Sequence, residues 1–417
     1  MLAIHGRGRY HHGVNGVPAG DNAMLVELGD VTAEELHAAA REMRGRPGVR
    51  KVIPGHSSLY VIYGSGPDAE ESQREPREHR IRVVFDGPDL RIPIDDLLAR
   101  LPLRLTVRYL GFRGGFAYLD GWPEEWAMPR RPTSRPVKAG SFAVAGTVAG
   151  FYPIDTPGGW NILGHTDAEV ENAFVPGDTI VVVPWSGGLS ARPGRPERPS
   201  LQRATLVNSP LTTILGVPFD DVAAELARNA VRGNVELLEC AMTGPRLRFE
   251  QDAVIAWCPP DLRIETRRVR AGEEVSFGRI SGGLRAYLAI GDEEGIVGSI
   301  ERGDRHVIRA LKGPHDTPIA EEVECEVTPQ LDRVGIRLRP LQALHVAIPA
   351  DLKSIGMQRG TVQLHPDGSL VAMGPDHPVT GGYLQPMTVI VSERWKLAQL
   401  VPGERVVLKT RTDSRSG

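Results

Sequence analysis

Residues 175–182 read Val-Pro-Gly-Asp-Thr-Ile-Val-Val, and residues 401–408 read Val-Pro-Gly-Glu-Arg-Val-Val-Leu. In each, a tight turn built on glycine feeds a β-rich run. A weaker third copy stands at 270–277, Arg-Ala-Gly-Glu-Glu-Val-Ser-Phe. Upstream of the first copy lie Gly146-Thr147-Val148 and Gly158-Gly159-Trp160. Upstream of the second lie Gly360-Thr361-Val362 and Gly381-Gly382-Tyr383. Equivalent turns at equivalent places point to one β-barrel used more than once along the chain.

The rest of the sequence agrees with a mainly β chain with minor α. Its 417 residues suggest two or three domains, each able to bury its own core. Glycine (47) and proline (34) are frequent and aromatics are only 6%, which favours many turns and short strands. Three helices are predicted. At 32–44, Thr32 and Glu35 form a capping box, and Leu36, Ala39, Ala40 and Met43 share a face. At 219–232, Asp220 or Asp221 can cap the start and Gly233 the end. A short helix is expected at 95–100. Strands are expected at 58–63, 80–85, 105–110, 179–183, 285–290, 337–341, 387–391 and 405–410. The Pro-, Gly- and Arg-rich stretch 187–200 reads as an inter-domain linker, and the polar stretch 64–80 separates an N-terminal segment.

Composition excludes several classes. With 49 basic and 52 acidic residues, the net charge of -3 leaves no footprint for nucleic acid or an anionic membrane. The N-terminus lacks the apolar core of a secretory signal, and no apolar run approaches the roughly 18 residues that span a bilayer. Cys240, Cys258 and Cys325 form no CxxC, so neither a disulfide framework nor a thiolate zinc site is expected, which fits a reducing, cytoplasmic setting. There is no Walker A loop, no G-x-G-x-x-G after a strand, no HExxH and no G-x-S-x-G. The twelve histidines show no metal-ligand spacing, so no metal is expected.

Two clusters can carry chemistry. The first is 109–120, YLGFRGGFAYLD, with Arg130, Arg131 and the segment Thr156-Pro157-Gly158-Gly159-Trp160. Dense glycine lets backbone N–H groups approach a ligand. Phe112, Phe116 and Tyr118 can line a pocket wall, and Arg113, Arg130 and Arg131 can fork onto a carboxylate or phosphate. The competing reading is structural, since Gly-aromatic loops also turn corners in small barrels. The second cluster holds Lys312, His315, Asp332, Arg333, Gln363, Asp376, His377, Thr380, Gly381 and Tyr383. A Lys, a His and an Asp beside glycine turns offer general acid or base groups and an anion clamp. Equally, His315 can be a plain loop residue and Asp332-Arg333 a surface ion pair.

These segments resemble a known family. GFRGGFAYL (111–119), PRRPTSRPVKAGS (129–141) and DTPGGWNILGHT (155–166) look like the first member of the KipI/KipA pair. That pair is also known as allophanate hydrolase subunits 1 and 2, and as the B and C subunits of 5-oxoprolinase. GDNAMLVELGD (20–30), VIPGHSSLYVIY (52–63) and FDGPDL (85–90) fit the same first member. RGNVELLEC (232–240), GPRLRF (244–249), GGLRAYLAI (282–290), LKGPH (311–315), DRVGIRL (332–338), GTVQLHPDGS (360–369) and DHPVTGGY (376–383) resemble the second. The family usually has Pro where Gly114 stands, and the stretch 291–305 is short against its pattern.

The resemblance implies cyclophilin-like β-barrels with a small α+β N-terminal lobe. Its units are a small α+β lobe at 18–80, a KipI-like barrel at 81–186, a linker at 187–202, a first KipA-like barrel lobe at 203–312 and a second cyclophilin-like barrel lobe at 313–410. It implies ATP-dependent opening of 5-oxo-L-proline to L-glutamate, with ATP as cofactor and a LamB/YcsF-type A subunit as partner. Homo-oligomerisation stays open. Arg113, Lys312, His315 and Asp376 are then the expected catalytic residues. Phe112, Phe116, Tyr118, Arg130, Thr156, Gly158, Gly159, Arg333, Gln363, Thr380, Gly381 and Tyr383 are expected to line the substrate. Two other functions stay open: a urea-carboxylase-like carboxyltransferase, although no biotin-carrying Met-Lys-Met motif occurs, and a non-catalytic regulator of the histidine-kinase-inhibitor type.

Overall fold

The computed structural model describes residues 9–10, 14–64, 74–111, 115–187, 201–208, 212–214, 217–349 and 352–411. Its N-terminal lobe is an antiparallel sheet ordered Val17–Pro18, Ala23–Glu27, Ser58–Tyr63, Val49–Pro54. Helix α1 (Ala33–Arg44) starts where the capping box predicts. Thr32 Oγ1 accepts from the Glu35 N–H at 3.2 Å, and the Glu35 carboxylate accepts from the Thr32 N–H at 2.8 Å. Leu36, Ala40 and Met43 of α1 pack on Met24, Val26, Leu59 and Val61. The opposite sheet face, with Leu25, Ile53, Tyr60 and Ile62, buries Ile355 from the far end of the chain. Covering on both sides explains the unbroken apolar run at 58–63.

A seven-stranded sheet follows, ordered Asn161–His165, Ser141–Ala145, Val148–Phe151, Ala117–Asp120, Leu103–Leu110, Thr179–Pro184, Glu78–Val83. The last two strands are parallel and the other pairs antiparallel. Its edges approach through a single bridge, Val84 to His165, so the sheet is a barrel curled almost shut. Helix α2 (Ile94–Arg100) buries Leu97 in its core.

The C-terminal barrel repeats this order strand for strand: Leu384–Val389, Thr361–Leu364, Leu370–Met373, Gly335–Pro340, Glu322–Leu331, Arg405–Arg411, Val307–Lys312. Here Val307–Lys312 pairs back onto Leu384–Val389 and the barrel closes. The repeated turns are the same structure. Gly177, Gly403 and Gly272 have φ of +97°, +88° and +84°, the left-handed region that favours glycine. The acid after each glycine accepts from the backbone N–H three residues back: Asp178 from Val175 at 3.0 Å, Glu404 from Val401 at 2.9 Å, Glu273 from Arg270 at 3.0 Å. The three glycine N–H groups donate to Val107, Val327 and Phe249 of the neighbouring strand.

One part of the repeat is out of register. Gly146-Thr147 lies in a hairpin, whereas Gly360-Thr361 opens a strand. The counterpart of Gly360-Thr361-Val362 is Gly140-Ser141-Phe142. The Gly360 N–H donates to Met373 and the Gly140 N–H to Tyr152, each on the following strand.

Strand Val307–Lys312 belongs to the closed barrel, and between the barrels lies a middle lobe of open sheets, not the barrel expected at 203–312. Its five-stranded sheet runs Thr212–Ile214, Glu236–Ala241, Arg285–Gly291, Ala253–Cys258, Glu265–Val269. Helix α3 (Asp221–Asn229), capped by Asp220, covers one face; Leu247, Phe249 and Val275 cover the other. Phe219, just before α3, is buried in the core of the closed barrel, and the Arg285 guanidinium sits 4.3 Å from its ring centre. The C-terminal barrel also carries the short helix α4 (Arg394–Gln399). Among the described residues, no helix is long and apolar enough to cross a membrane.

Candidate functional site

The two barrels place the same loops at the same corners. After Val307–Lys312 comes Gly313-Pro314-His315, and after Glu78–Val83 comes Gly87-Pro88-Asp89. The Gly313 N–H donates to Pro386 and the Gly87 N–H to Leu163, on equivalent strands. A Cβ on either glycine would run into the backbone of that strand. The third residue of each loop then accepts from the same strand: Asp89 from the Ile162 N–H at 2.8 Å, His315 Nδ1 from the Gln385 N–H at 2.9 Å.

The residues at these corners differ in chemistry. Asp89 is buried between Arg131, at 3.0 Å, and Arg135, so its charge is neutralised in place. Among the described residues His315 has no charged partner, and partial burial holds its imidazole below the usual pKa. With Nδ1 accepting, the ring proton of the neutral form sits on Nε2. Lys312 is exposed at the end of its strand, before this loop.

In the first barrel, Phe116 is buried under Tyr118, Tyr152 and Trp160, with ring centres 5.2, 5.3 and 5.0 Å away. Gly158 lies against the Tyr152 hydroxyl with no room for a side chain. Gly159 lies under Arg130, whose Nε is 3.1 Å from where a Cβ would stand. Arg130 is exposed, near enough to Tyr118 and Tyr152 to offset part of the burial that raises their hydroxyl pKa values. Thr156 is half-buried in a two-stranded ribbon, opposite Val137. The expected residues Phe112 and Arg113 lie outside the described residues.

In the closed barrel, the equivalent ribbon pairs Ile355 with Gly381 and Gly356 with Thr380. Beneath it lie Gln363 and Met357, either of which a Cβ on Gly381 would strike. Tyr383, the counterpart of Trp160, stacks on His365 at 4.2 Å. Arg333 and Asp376 are brought together, at 2.9 and 3.0 Å, but Arg333 also binds Glu239 of the middle lobe at 2.8 Å.

The structure joins the two clusters, which sequence spacing alone leaves apart. Thr380 is buried, and its hydroxyl donates to the Leu110 carbonyl at 2.7 Å; the Val379 N–H donates to Gly111 at 3.3 Å. Leu110 and Gly111 lead directly into the glycine-rich loop of the first barrel. Tyr109 is stacked on Tyr118 at 4.4 Å; burial pushes its hydroxyl pKa well up, and Ser354 of the closed barrel offsets part of that rise. The His56 N–H donates to the Ser354 carbonyl at 2.8 Å.

Sequence reasoning missed His56 and Arg108. They line a cleft of about 750 Å³ between α1 and the first barrel, together with Asp30, Thr106 and Asp120. Arg108 is committed to Asp120 and to the His56 and Val31 carbonyls. Burial, with Arg108 and Lys353 nearby, lowers the His56 pKa. An isolated His and Arg far apart in sequence carry no local signal of this meeting. Among the described residues, no group of His, Cys, Asp and Glu is placed to hold a metal ion.

Known proteins resemble this chain in sequence and in fold. Residues 14–174 match the model for the carboxyltransferase domain, subdomain C and D; residues 215–297 and 297–410 match subdomain A and B. The 5-oxoprolinase B subunit of Haemophilus influenzae is 48% identical over 183 residues, 37% of this chain and 86% of that protein. That of Bacillus subtilis is 31% identical over 191 residues, 35% of this chain and 80% of that one. A putative urea carboxylase of Emericella nidulans is 26% identical over 274 residues, 47% of this chain but 22% of that protein. The crystal structure of TTHA0988 has the same fold, with a TM-score of 0.73 at 23% identity over 94% of this chain and 100% of that one. Subdomains C and D precede A and B on one polypeptide, and the chain belongs to the carboxyltransferase-domain family as a KipI/KipA-type fusion whose N-terminal part is kin to the B subunit of 5-oxoprolinase.

Proposed function

We propose that the chain is the fused B and C component of an ATP-dependent 5-oxoprolinase, opening 5-oxo-L-proline to L-glutamate with a separate A subunit of LamB/YcsF type. The observation that carries this is the Thr380 to Leu110 contact, which sets the ribbon of one half against the end of strand Leu103–Leu110 of the other. A site formed where two halves meet is what a pair of subunits would share, and the 5-oxoprolinase relatives match the first half.

Ring opening is an uphill amide hydrolysis, so ATP would supply a phosphoryl group to activate the amide oxygen. In this reading, the chain orients the substrate and stabilises charge. His315 offers its Nε2–H as a hydrogen-bond donor to the activated amide, keeping that proton, and Lys312, at the end of the strand before this loop, offers positive charge. Arg130, over Gly159 and near Tyr118 and Tyr152, suits the substrate carboxylate. The ATP site is left to the A subunit or to the junction.

The test is glutamate release from 5-oxoproline by the purified chain plus the A subunit of the same genome, with and without ATP. ATP-dependent release is expected. No release from folded components would sink the reading. Carboxylation of urea with a biotin carboxylase would then favour the alternative suggested by the urea carboxylase relative.

A further inference from the structure

We infer that Arg333 and Asp376 are positioning residues, which fix a strap at residues 374–381 between the middle lobe and the first barrel and so set where Thr380 meets the end of strand Leu103–Leu110. The inference rests on the reading of that junction as part of the site.

The strap is held at both ends. It leaves Leu370–Met373 at Gly374, whose N–H donates to the Val334 carbonyl at 2.9 Å. A Cβ there would strike the Arg333 carbonyl and the Phe219 ring. The Asp376 N–H donates to the Arg333 carbonyl at 3.0 Å, and the Asp376 carboxylate receives Nε and Nη2 of the same arginine. At the far end, Val379 and Thr380 bind Gly111 and Leu110, and the Val379 carbonyl accepts the Met357 N–H at 3.1 Å.

Arg333 cannot move freely. Its Nη1 donates to Glu239 at 2.8 Å and its Nη2 to the Val217 carbonyl at 2.7 Å. Glu239 is 3% exposed and also accepts from the Phe219 N–H at 2.8 Å and the Tyr287 hydroxyl at 2.7 Å. Withdrawing Arg333 would strip a buried carboxylate of a main partner, which is costly. The guanidinium fork has four of its donor bonds spoken for, so it has little left for a substrate. Forked Arg–carboxylate bonds fix direction as well as distance, which suits a strap and not a binding group.

The test is Asp376→Asn in the full chain. It removes one charge from the half-exposed end and leaves Glu239 paired with Arg333, so the fold survives. Amide hydrogen exchange at Met357 and Val379 should speed up by about tenfold, the scale of one lost charge-assisted hydrogen bond, while amides of Glu322–Leu331 stay unchanged. In the glutamate-release assay, kcat should fall with an unaltered pH profile. Arg333→Lys, which keeps the charge but loses the fork, should move the same amides further. Unchanged exchange at Met357 and Val379 in both variants would overturn the inference. So would loss of a limb of the pH–rate profile in Asp376→Asn, which would make Asp376 an acid or base. If the chain has no 5-oxoprolinase activity, the exchange result decides alone.

Discussion

The first barrel and the closed barrel share strand order, the parallel final pair, the glycine turn and the Gly-Pro loop, yet they use the same positions differently. At the loop corner, Asp89 is locked by Arg131, Arg135 and a backbone N–H, whereas His315 is pinned on one nitrogen only. Under the ribbon, the first barrel buries Phe116, Val137, Tyr152 and Ile162, an apolar cluster. The closed barrel buries Gln363 and Gln385 there, and among the described residues Gln385 Oε1 has no hydrogen-bond partner. A buried polar group is costlier to hold than an apolar one, so the two interiors differ in kind at this position. On the proposed reading, the first barrel supplies frame, wall and the Arg130 guanidinium, and the closed barrel supplies His315 and Lys312.

The sharpest way to break this contrast is Asp89→Ala. It leaves two guanidinium groups and a buried N–H unpaired, and should cost about 3–5 kcal/mol in urea unfolding. His315→Ala removes one acceptor and should cost about 1 kcal/mol. Equal losses would mean that the two corners do the same job. Next comes Gly158→Ala, where the new methyl meets the Tyr152 ring and hydroxyl inside a packed cluster. We expect a loss of about 1–3 kcal/mol by the same measurement. Gly381→Ala meets the mobile ends of Gln363 and Met357 and should cost less.

The turns give a finer comparison. Gly177→Ala and Gly403→Ala each force a side chain into the left-handed region, at about 1 kcal/mol. Gly177 also has Pro76 Cγ 3.0 Å from the new methyl, while Gly403 faces open space, so the first should lower the melting temperature more. The smallest effect is on pH. The folded state holds His315 below its ordinary value of 6.5, so the unfolded chain takes the proton first. Stability from this group is therefore present above about pH 6.5 and declines as pH falls through that value. Melts of the native chain and His315→Gln should converge as pH is lowered from 7 to 5.

The fold was legible where local chemistry decides it. Thr32 and Glu35 announce α1, and the Pro-Gly-acid turns announce the repeated barrel, because a left-handed glycine and a capping carboxylate are local requirements. The Gly146-Thr147 misalignment arose because a Gly-Thr pair serves both a hairpin and a strand start. Strands Glu236–Ala241 and Ala253–Cys258 went unread because both faces are buried, by Leu238 and Ile255 on one side and by Leu237 and Val254 on the other. No polar alternation survives there. Helix α4, six residues long, is too short for a periodic signal.

Candidate-site residues were picked by type, and the structure sorts some of them by partner. Gly158 and Gly381 sit at matched corners. Arg333 and Asp376 direct their charges at each other and, for Arg333, at Glu239, a long-range pairing that no spacing encodes.

The most direct measurement is turnover and thermal melting, side by side, for His315→Gln and Asp89→Asn with the A subunit present. The account predicts a folded, inactive His315→Gln, and an Asp89→Asn that melts earlier but, below its melting point, still releases glutamate. A fully active His315→Gln, or an Asp89→Asn that is inactive with unchanged melting, would contradict it.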